Sequence, residues 1–353
     1  MLSTLSIKRP SIQTLMPVLL ILAVLMGVSE VILRQQPIQA YLTPPSLNTS
    51  HRQLERQWHR LENLTKSGVQ LQCIALGNSM ILNGFEPQVF SQSFYEQTGQ
   101  ELHCFNFGVD ALTPVSANGL AQVLIDTYRP QLLIFGTDAR DYAVNPDLEE
   151  TTVISEMAWL QYRLGSFNLT GWLLEHSYLY RYRYSLVDLM RLSINRKSEP
   201  LINQYGFEAY DATLNVTTPP DPNDNSFGVQ YYYKTLDRYT VRTENQQALA
   251  GILARQSEST TLLVIAMPVP DTYFYFFDNP SDDYNQFINA LKATTANYNV
   301  LFLETAHLQL IPNDGWADYS HLNNKGAVIF SKWLGKHLGK AVLDGQIDVL
   351  QRR

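Results

Sequence analysis

The sequence predicts a doubly wound α/β domain with a parallel sheet, and three observations predict it. Apolar runs end in glycine-containing turns at Gly77, Gly108 and Gly136. The turns at Gly77 and Gly108 lead into segments of helical character, and the strand-then-helix alternation resumes after residue 244. The best of these runs are almost continuously apolar, which suits strands buried on both faces of a parallel sheet. Right-handed crossovers then bring the strand C-terminal ends to one rim, where such sheets bind their ligands. An apolar N-terminal segment adds a single transmembrane helix, and a tyrosine-rich stretch adds a largely helical insertion.

Taken in order, Leu15–Leu33 is apolar apart from Ser29 and Glu30, matching the ~20 residues that cross a bilayer. Lys8 and Arg9 precede it and Arg34 follows, so the positive-inside rule keeps the N-terminus cytoplasmic and sends the main domain to the extracytoplasmic side, periplasmic or extracellular. A cleaved signal peptide ending at Ile38-Gln39-Ala40 is the alternative, and the length of the apolar run favours an uncleaved anchor. Residues 35–50 read as a polar linker. A helix follows over 51–66 with Leu54, Trp58, Leu61 and Leu64 on one face, then a strand over 69–76. Next come a helix over 86–98 closed by Gly99, a strand over 102–107, and a helix opened by Thr113-Pro114 and stopping near Arg129-Pro130. A third strand covers 131–135.

The insertion covers about 142–250, with helical character best over 160–190 and a proline- and aspartate-rich loop at 217–225. Its tyrosines, Tyr178, Tyr180, Tyr182, Tyr184 and Tyr231 to Tyr233, suit a substrate lid, a membrane-facing surface or simple aromatic packing. The alternation resumes with a helix over 244–256, strands over 262–266 and 300–303, a helix over 281–295 between them, and a closing helix over 324–338. The expected organisation is an N-terminus and anchor at 1–34, the linker, an α/β domain at 51–340 and a tail at 341–353.

Composition narrows the function. A chain of 353 residues that is 45% hydrophobic can build one large core or two small ones. A net charge of −7 without basic runs beyond the N-terminus argues against nucleic acid as a partner. Cys73 and Cys104 each lie four residues before a strand-end glycine. Two buried thiols is the favoured reading; a disulfide is the alternative, allowed only outside the cytoplasm. Without a Cys/His cluster, no metal or cofactor is expected. The sequons at Asn48, Asn63, Asn168 and Asn215 would matter only in a eukaryotic secretory pathway.

Two short patterns carry candidate chemistry. Gly77-Asn78-Ser79 places a serine at a strand end, and Asp318-Tyr319-Ser320-His321 lies directly before the last helix. A serine hydroxyl needs a base within hydrogen-bond reach, and that base needs an orienting acceptor. No other histidine has an aspartate three residues earlier, and the other Gly-x-Ser, Gly27 to Ser29, lies inside the apolar segment.

With Asn106-Phe107-Gly108 between them, these blocks resemble the SGNH (GDSL-like) hydrolases and the membrane-anchored, acyltransferase-like proteins of bacterial cell envelopes, over roughly residues 70–338. The resemblance implies a three-layer, flavodoxin-like sandwich with a five-stranded parallel sheet. It implies Ser79 as nucleophile, His321 as base and Asp318 as its partner, with the amides of Ser79 and Gly108 holding the oxyanion. The third block departs: Gly136-Thr137-Asp138-Ala139 stands where the family has Gly-x-Asn-Asp. An ionised aspartate cannot donate a hydrogen bond. Losing one oxyanion donor costs about 10²-fold to 10³-fold in rate, and Thr137 and Arg140 are the nearest substitutes. The implied function is a membrane-anchored serine esterase or O-acyltransferase acting on an acylated small molecule or polysaccharide of the envelope. The alternative is a catalytically inactive protein of this fold that binds glycan or partner proteins in an envelope assembly.

Overall fold

The computed structural model describes residues 12–39, 42, 45–48, 51–144, 152–190 and 202–349. Lys8, Arg9, Ala40 of the candidate cleavage site, positions 145–151 and 191–201 of the insertion and the last tail residues lie outside the described residues.

Five parallel strands, β1 (Cys73–Gly77), β2 (Cys104–Gly108), β3 (Leu132–Thr137), β4 (Thr261–Ala266) and β5 (Leu301–Glu304), form one sheet in the order β2-β1-β3-β4-β5. This is the flavodoxin-like order, as expected. Gly77 is in register with both Gly108 and Gly136, so three strand ends meet at one rim. β1 and β2 start later than the apolar runs that predict them. Leu71 and Leu102 are buried without joining the ladder, because burial extends beyond strand pairing.

The helices in chain order are α1 (Ile12–Leu33), α2 (Gln36–Gln39), α3 (Arg52–Lys66), α4 (Ser79–Gly84), α5 (Pro87–Thr98) and α6 (Pro114–Tyr128). The insertion contributes α7 (Thr152–Ser155), α8 (Ala158–Arg163), α9 (Leu169–His176), α10 (Tyr178–Arg181), α11 (Arg183–Met190) and α12 (Phe227–Leu236). Then come α13 (Thr243–Leu253), α14 (Pro280–Ala296) and α15 (Asn324–Leu343). α5 packs on α15, while α13 packs on α6 and α14, giving a helical layer on each side of the sheet.

α1 is long and apolar enough to cross a membrane, and its apolar span is not buried against the rest of the protein. In the linker, Leu47 is buried, and its amide and the Ser46 hydroxyl donate to Glu55 at 2.7 and 2.9 Å. The run 160–190 is helical, as expected, in a series of short helices. Gly165 at φ +96° ends the first, and the Asn168 and Ser177 side chains cap α9 and α10. The closing helix outruns its expected end at 338, and Ile347 and Val349 beyond it are buried. The Thr113 hydroxyl makes no cap bond, and the work of starting α6 falls to Pro114.

The two cysteines are not free thiols. Cys73 and Cys104 are a register pair of β1 and β2, and their sulfurs are bonded across a Cα–Cα distance of 4.3 Å. The outer edge of β2 is covered by the insertion, where the Asn106 amide donates to Tyr205 O at 2.8 Å.

Candidate active site

The site is built on α4, which lies across the strand ends. At Gly108 an added Cβ would collide with the Leu82 backbone, and at Gly136 with the Ile81 side chain. The glycines are there so that α4 can lie this close. Asn106 secures the far end of α4: its Nδ2 donates to Ile81 O at 2.7 Å and Phe85 O at 2.6 Å, and its Oδ1 accepts the Gly108 amide at 2.8 Å.

Asn78 caps the start of α4, its Oδ1 accepting the Met80 amide at 2.8 Å. That bond fixes which side-chain atom is nitrogen. Ser79 follows as the first residue of α4, half-buried, and its Oγ lies 2.7 Å from His321 Nε2. On the other side of the ring, Nδ1 lies 2.7 Å from Asp318 Oδ2, while Asp318 Oδ1 accepts the amides of Ser320 and His321, each at 2.8 Å. Burial opposes the Asp318 charge, but His321 and the two amides outweigh it and hold the carboxyl at about 2. An ionised Asp318 accepts the hydrogen bond of Nδ1–H and so keeps the proton on Nδ1, which leaves Nε2 as an acceptor facing the Ser79 hydroxyl.

Behind this chain stands a second one. Arg140 Nη1 donates to the Tyr232 hydroxyl at 3.2 Å, and Tyr232 bonds to Ser320 Oγ. Burial pushes the Tyr232 phenol well above its ordinary value, so it keeps its proton. Having accepted from Arg140, it donates to Ser320, whose hydroxyl in turn points to Asp318 Oδ1 at 3.4 Å. Tyr210, also from the insertion, lies with its ring nearly parallel to that of His321.

The third block sits beneath Asn78. Asn78 Nδ2 donates to Asp138 Oδ1 at 3.1 Å and to the two Asp141 oxygens at 2.9 and 2.8 Å. Asp138 is 2% exposed; its carboxylate also accepts the Tyr273 hydroxyl at 3.3 Å and faces Arg140 Nη2 at 3.8 Å. Thr137 Oγ1 is turned to Asp141 at 2.7 Å. Burial, together with the neighbouring Asp138, pushes Asp141 up to about 8. Burial opposes the Arg140 charge, but Asp138 and its neighbours hold the guanidinium protonated. Arg140 Nη2 is buried and, among the described residues, has no hydrogen-bond partner.

The structure thus brings Ser79, His321 and Asp318 into one hydrogen-bonded chain, with Gly108 and Asp138 on the same rim. Sequence reasoning missed Asp141, Tyr232 and Ser320. The spacing Asp138-x-x-Asp141, in which the Asp141 carboxylate takes the Asp138 amide at 3.3 Å, was a usable signal of the capping-box kind. For Tyr232, 88 residues from its partner, no local pattern exists.

No family model matches this chain, and no curated protein matches it. Among solved structures, it is similar to a gut microbial diltiazem-metabolizing enzyme at 13% identity and a TM-score of 0.35. That match takes in 75% of this chain and 46% of the other, so the chain spans less than half of that protein's length. A carbohydrate acetylesterase family member from Sinorhizobium meliloti matches at 11% identity over 77% of this chain and 97% of its own, with a TM-score of 0.34. An acetyl-xylooligosaccharide esterase of Geobacillus matches at 11% identity over 80% and 96%, with a TM-score of 0.35. Superpositions at this level carry no argument about chemistry.

Proposed function

We propose that this chain is a serine-dependent esterase or O-acyltransferase of SGNH type, and that its substrate is an acylated envelope molecule, a glycan above all. The observation that carries the reading is the hydrogen-bonded chain from Ser79 Oγ through His321 to Asp318. Ser79 Oγ attacks the ester carbonyl carbon while His321 Nε2 takes its proton. The tetrahedral intermediate collapses, His321 returns the proton to the departing alcohol oxygen, and the acyl group stays on Ser79. Water or a sugar hydroxyl, deprotonated by His321, then attacks the acyl carbon and releases Ser79. Asp318 remains ionised throughout and holds the ring in the reactive tautomer.

The oxyanion needs donors. The Ser79 amide, at the first helical position, has no carbonyl partner in its own helix. The Gly108 amide, bonded to Asn106 Oδ1 at rest, is shared with the oxyanion. Asp138 is an acceptor and supplies nothing, and Arg140 is turned to Asp138 and Tyr232 behind the triad, so the oxyanion rests on the two backbone amides.

In this reading α1 anchors the protein and the domain faces an extracytoplasmic compartment. The Cys73–Cys104 bond supports that side, since disulfides persist in oxidising compartments. The test is labelling with a serine-reactive fluorophosphonate. Wild type should react and Ser79→Ala should not. No label on folded wild type would leave the inactive, glycan- or partner-binding reading. Acyl transfer to an added sugar acceptor, against release to water, separates transferase from esterase.

A further inference from the structure

α1 is joined to the domain, at the end of its apolar run, by a built contact. Glu30 accepts the amides of Tyr178 and Leu179 at 2.8 and 2.9 Å and the Ser177 hydroxyl at 3.1 Å, all at the start of α10. Arg34 Nη2 donates to Glu30 at 2.8 Å and to His176 O at 2.9 Å, and its guanidinium lies 4.8 Å from the centre of the Tyr178 ring. A carboxylate in an apolar helix is costly unless paired, and here three donors and an arginine take it up.

Beside this joint the domain exposes apolar side chains that its own core leaves uncovered. Trp172 lies one turn before His176 on α9, the two rings 5.4 Å apart. Leu169 is three residues before Trp172 and so on the same helical face. Phe167 joins them across Tyr162, whose ring meets those of both Phe167 and His176. Phe167 is 76% exposed, Leu169 64% and Trp172 42%. On the other side of the joint Lys66 donates to the Tyr178 hydroxyl at 3.1 Å, and Arg183 lies over the rings of Tyr180 and Tyr184. Aromatic rings, cations and a few large apolar side chains at the exit of a spanning helix are the composition of a membrane-interface belt.

We infer that Phe167, Leu169 and Trp172 are seated in the headgroup region of the bilayer crossed by α1, so that lipid is the partner of this face. The domain then stands on the membrane in one orientation instead of swinging on a tether. The inference rests on α1 spanning the bilayer, and the experiment separates the two.

The full chain is reconstituted into phosphatidylcholine–phosphatidylglycerol vesicles. With both native cysteines in a disulfide, Phe167→Cys and Leu169→Cys each add one free thiol for an environment-sensitive fluorophore. Leu343→Cys, at an exposed site on α15, is the reference. Expected are blue-shifted emission at 167 and 169 and quenching by headgroup-spin-labelled lipid several-fold stronger than at 343. Quenching equal to that at 343, in protein that floats with the vesicles and resists carbonate extraction, overturns the inference and leaves the anchor standing. Loss of flotation overturns the anchor and the inference with it. Labels shielded from spin-labelled lipid but cross-linking between chains overturn it in favour of a second copy on this face.

Discussion

Asn78, the residue before Ser79, donates its side-chain amide to both oxygens of Asp141, at 2.9 and 2.8 Å. Its other amide atom starts α4, so Asp141 fixes the residue that presents Ser79.

That bond has a pH signature. Asp141 is raised to about 8 by burial and by Asp138, while an unfolded chain leaves it near its ordinary ~3.9. The folded state therefore binds this proton more tightly. The associated stability is full below about pH 4 and is lost as pH rises through about 8. Urea midpoints across that window should fall with rising pH for wild type and fall less for Asp141→Asn, which cannot titrate. Asp141→Ala, leaving the Asn78 amide without its main acceptor, should cost about 1–3 kcal/mol.

Asp318 has the opposite sign. Burial works against its charge, yet His321 and two amides bring it down to about 2, so its contribution is present above about pH 4 and lost only as pH falls toward 2. It stays ionised across the working range. Asp318→Asn, which favours the wrong imidazole tautomer, should lower kcat by about 10⁴-fold with the fold intact. Hydrolysis of a chromogenic acyl ester with circular dichroism on the same samples checks both halves.

Tyr232 reaches Asp318 through Ser320. Tyr232→Phe removes the hydroxyl between Arg140 and Ser320 without opening a cavity. Losing a bond to a charged group is worth about 1.5–3 kcal/mol, so kcat should fall roughly 10-fold to 100-fold with KM little changed. A loss confined to KM would instead place Tyr232 in substrate binding.

The disulfide ties β1 to β2 below the rim that carries Ser79. Cys73 and Cys104 are 31 residues apart, and closing a loop of that length limits the unfolded chain by roughly 3–4 kcal/mol. Cys73→Ala with Cys104→Ala should lose stability of that order in denaturant titration. Protein retained in a reducing cytoplasm should show the same deficit, and exported protein should not.

The fold and half of the site could be read from the chain because they are local patterns. Buried parallel strands are apolar runs, a strand-end serine follows a glycine, and an aspartate three residues before a histidine folds back on it within one turn. Element boundaries shifted where burial and pairing part company, as at Leu71, and where capping side chains cut the run 160–190 into short helices. Whether the cysteines pair depended on β1 and β2 being neighbours in register, which no spacing states. By itself the sequence determined the α/β class, the apolar N-terminal segment and the identity of Ser79, Asp318 and His321 as candidates. Only the tertiary structure decided that Asp138 is occupied as an acceptor, that Asp141 holds Asn78, and that Tyr232 reaches Ser320 from the insertion. Those are contacts between distant segments, formed because the sheet brings its strand ends to one rim and the insertion folds back over it.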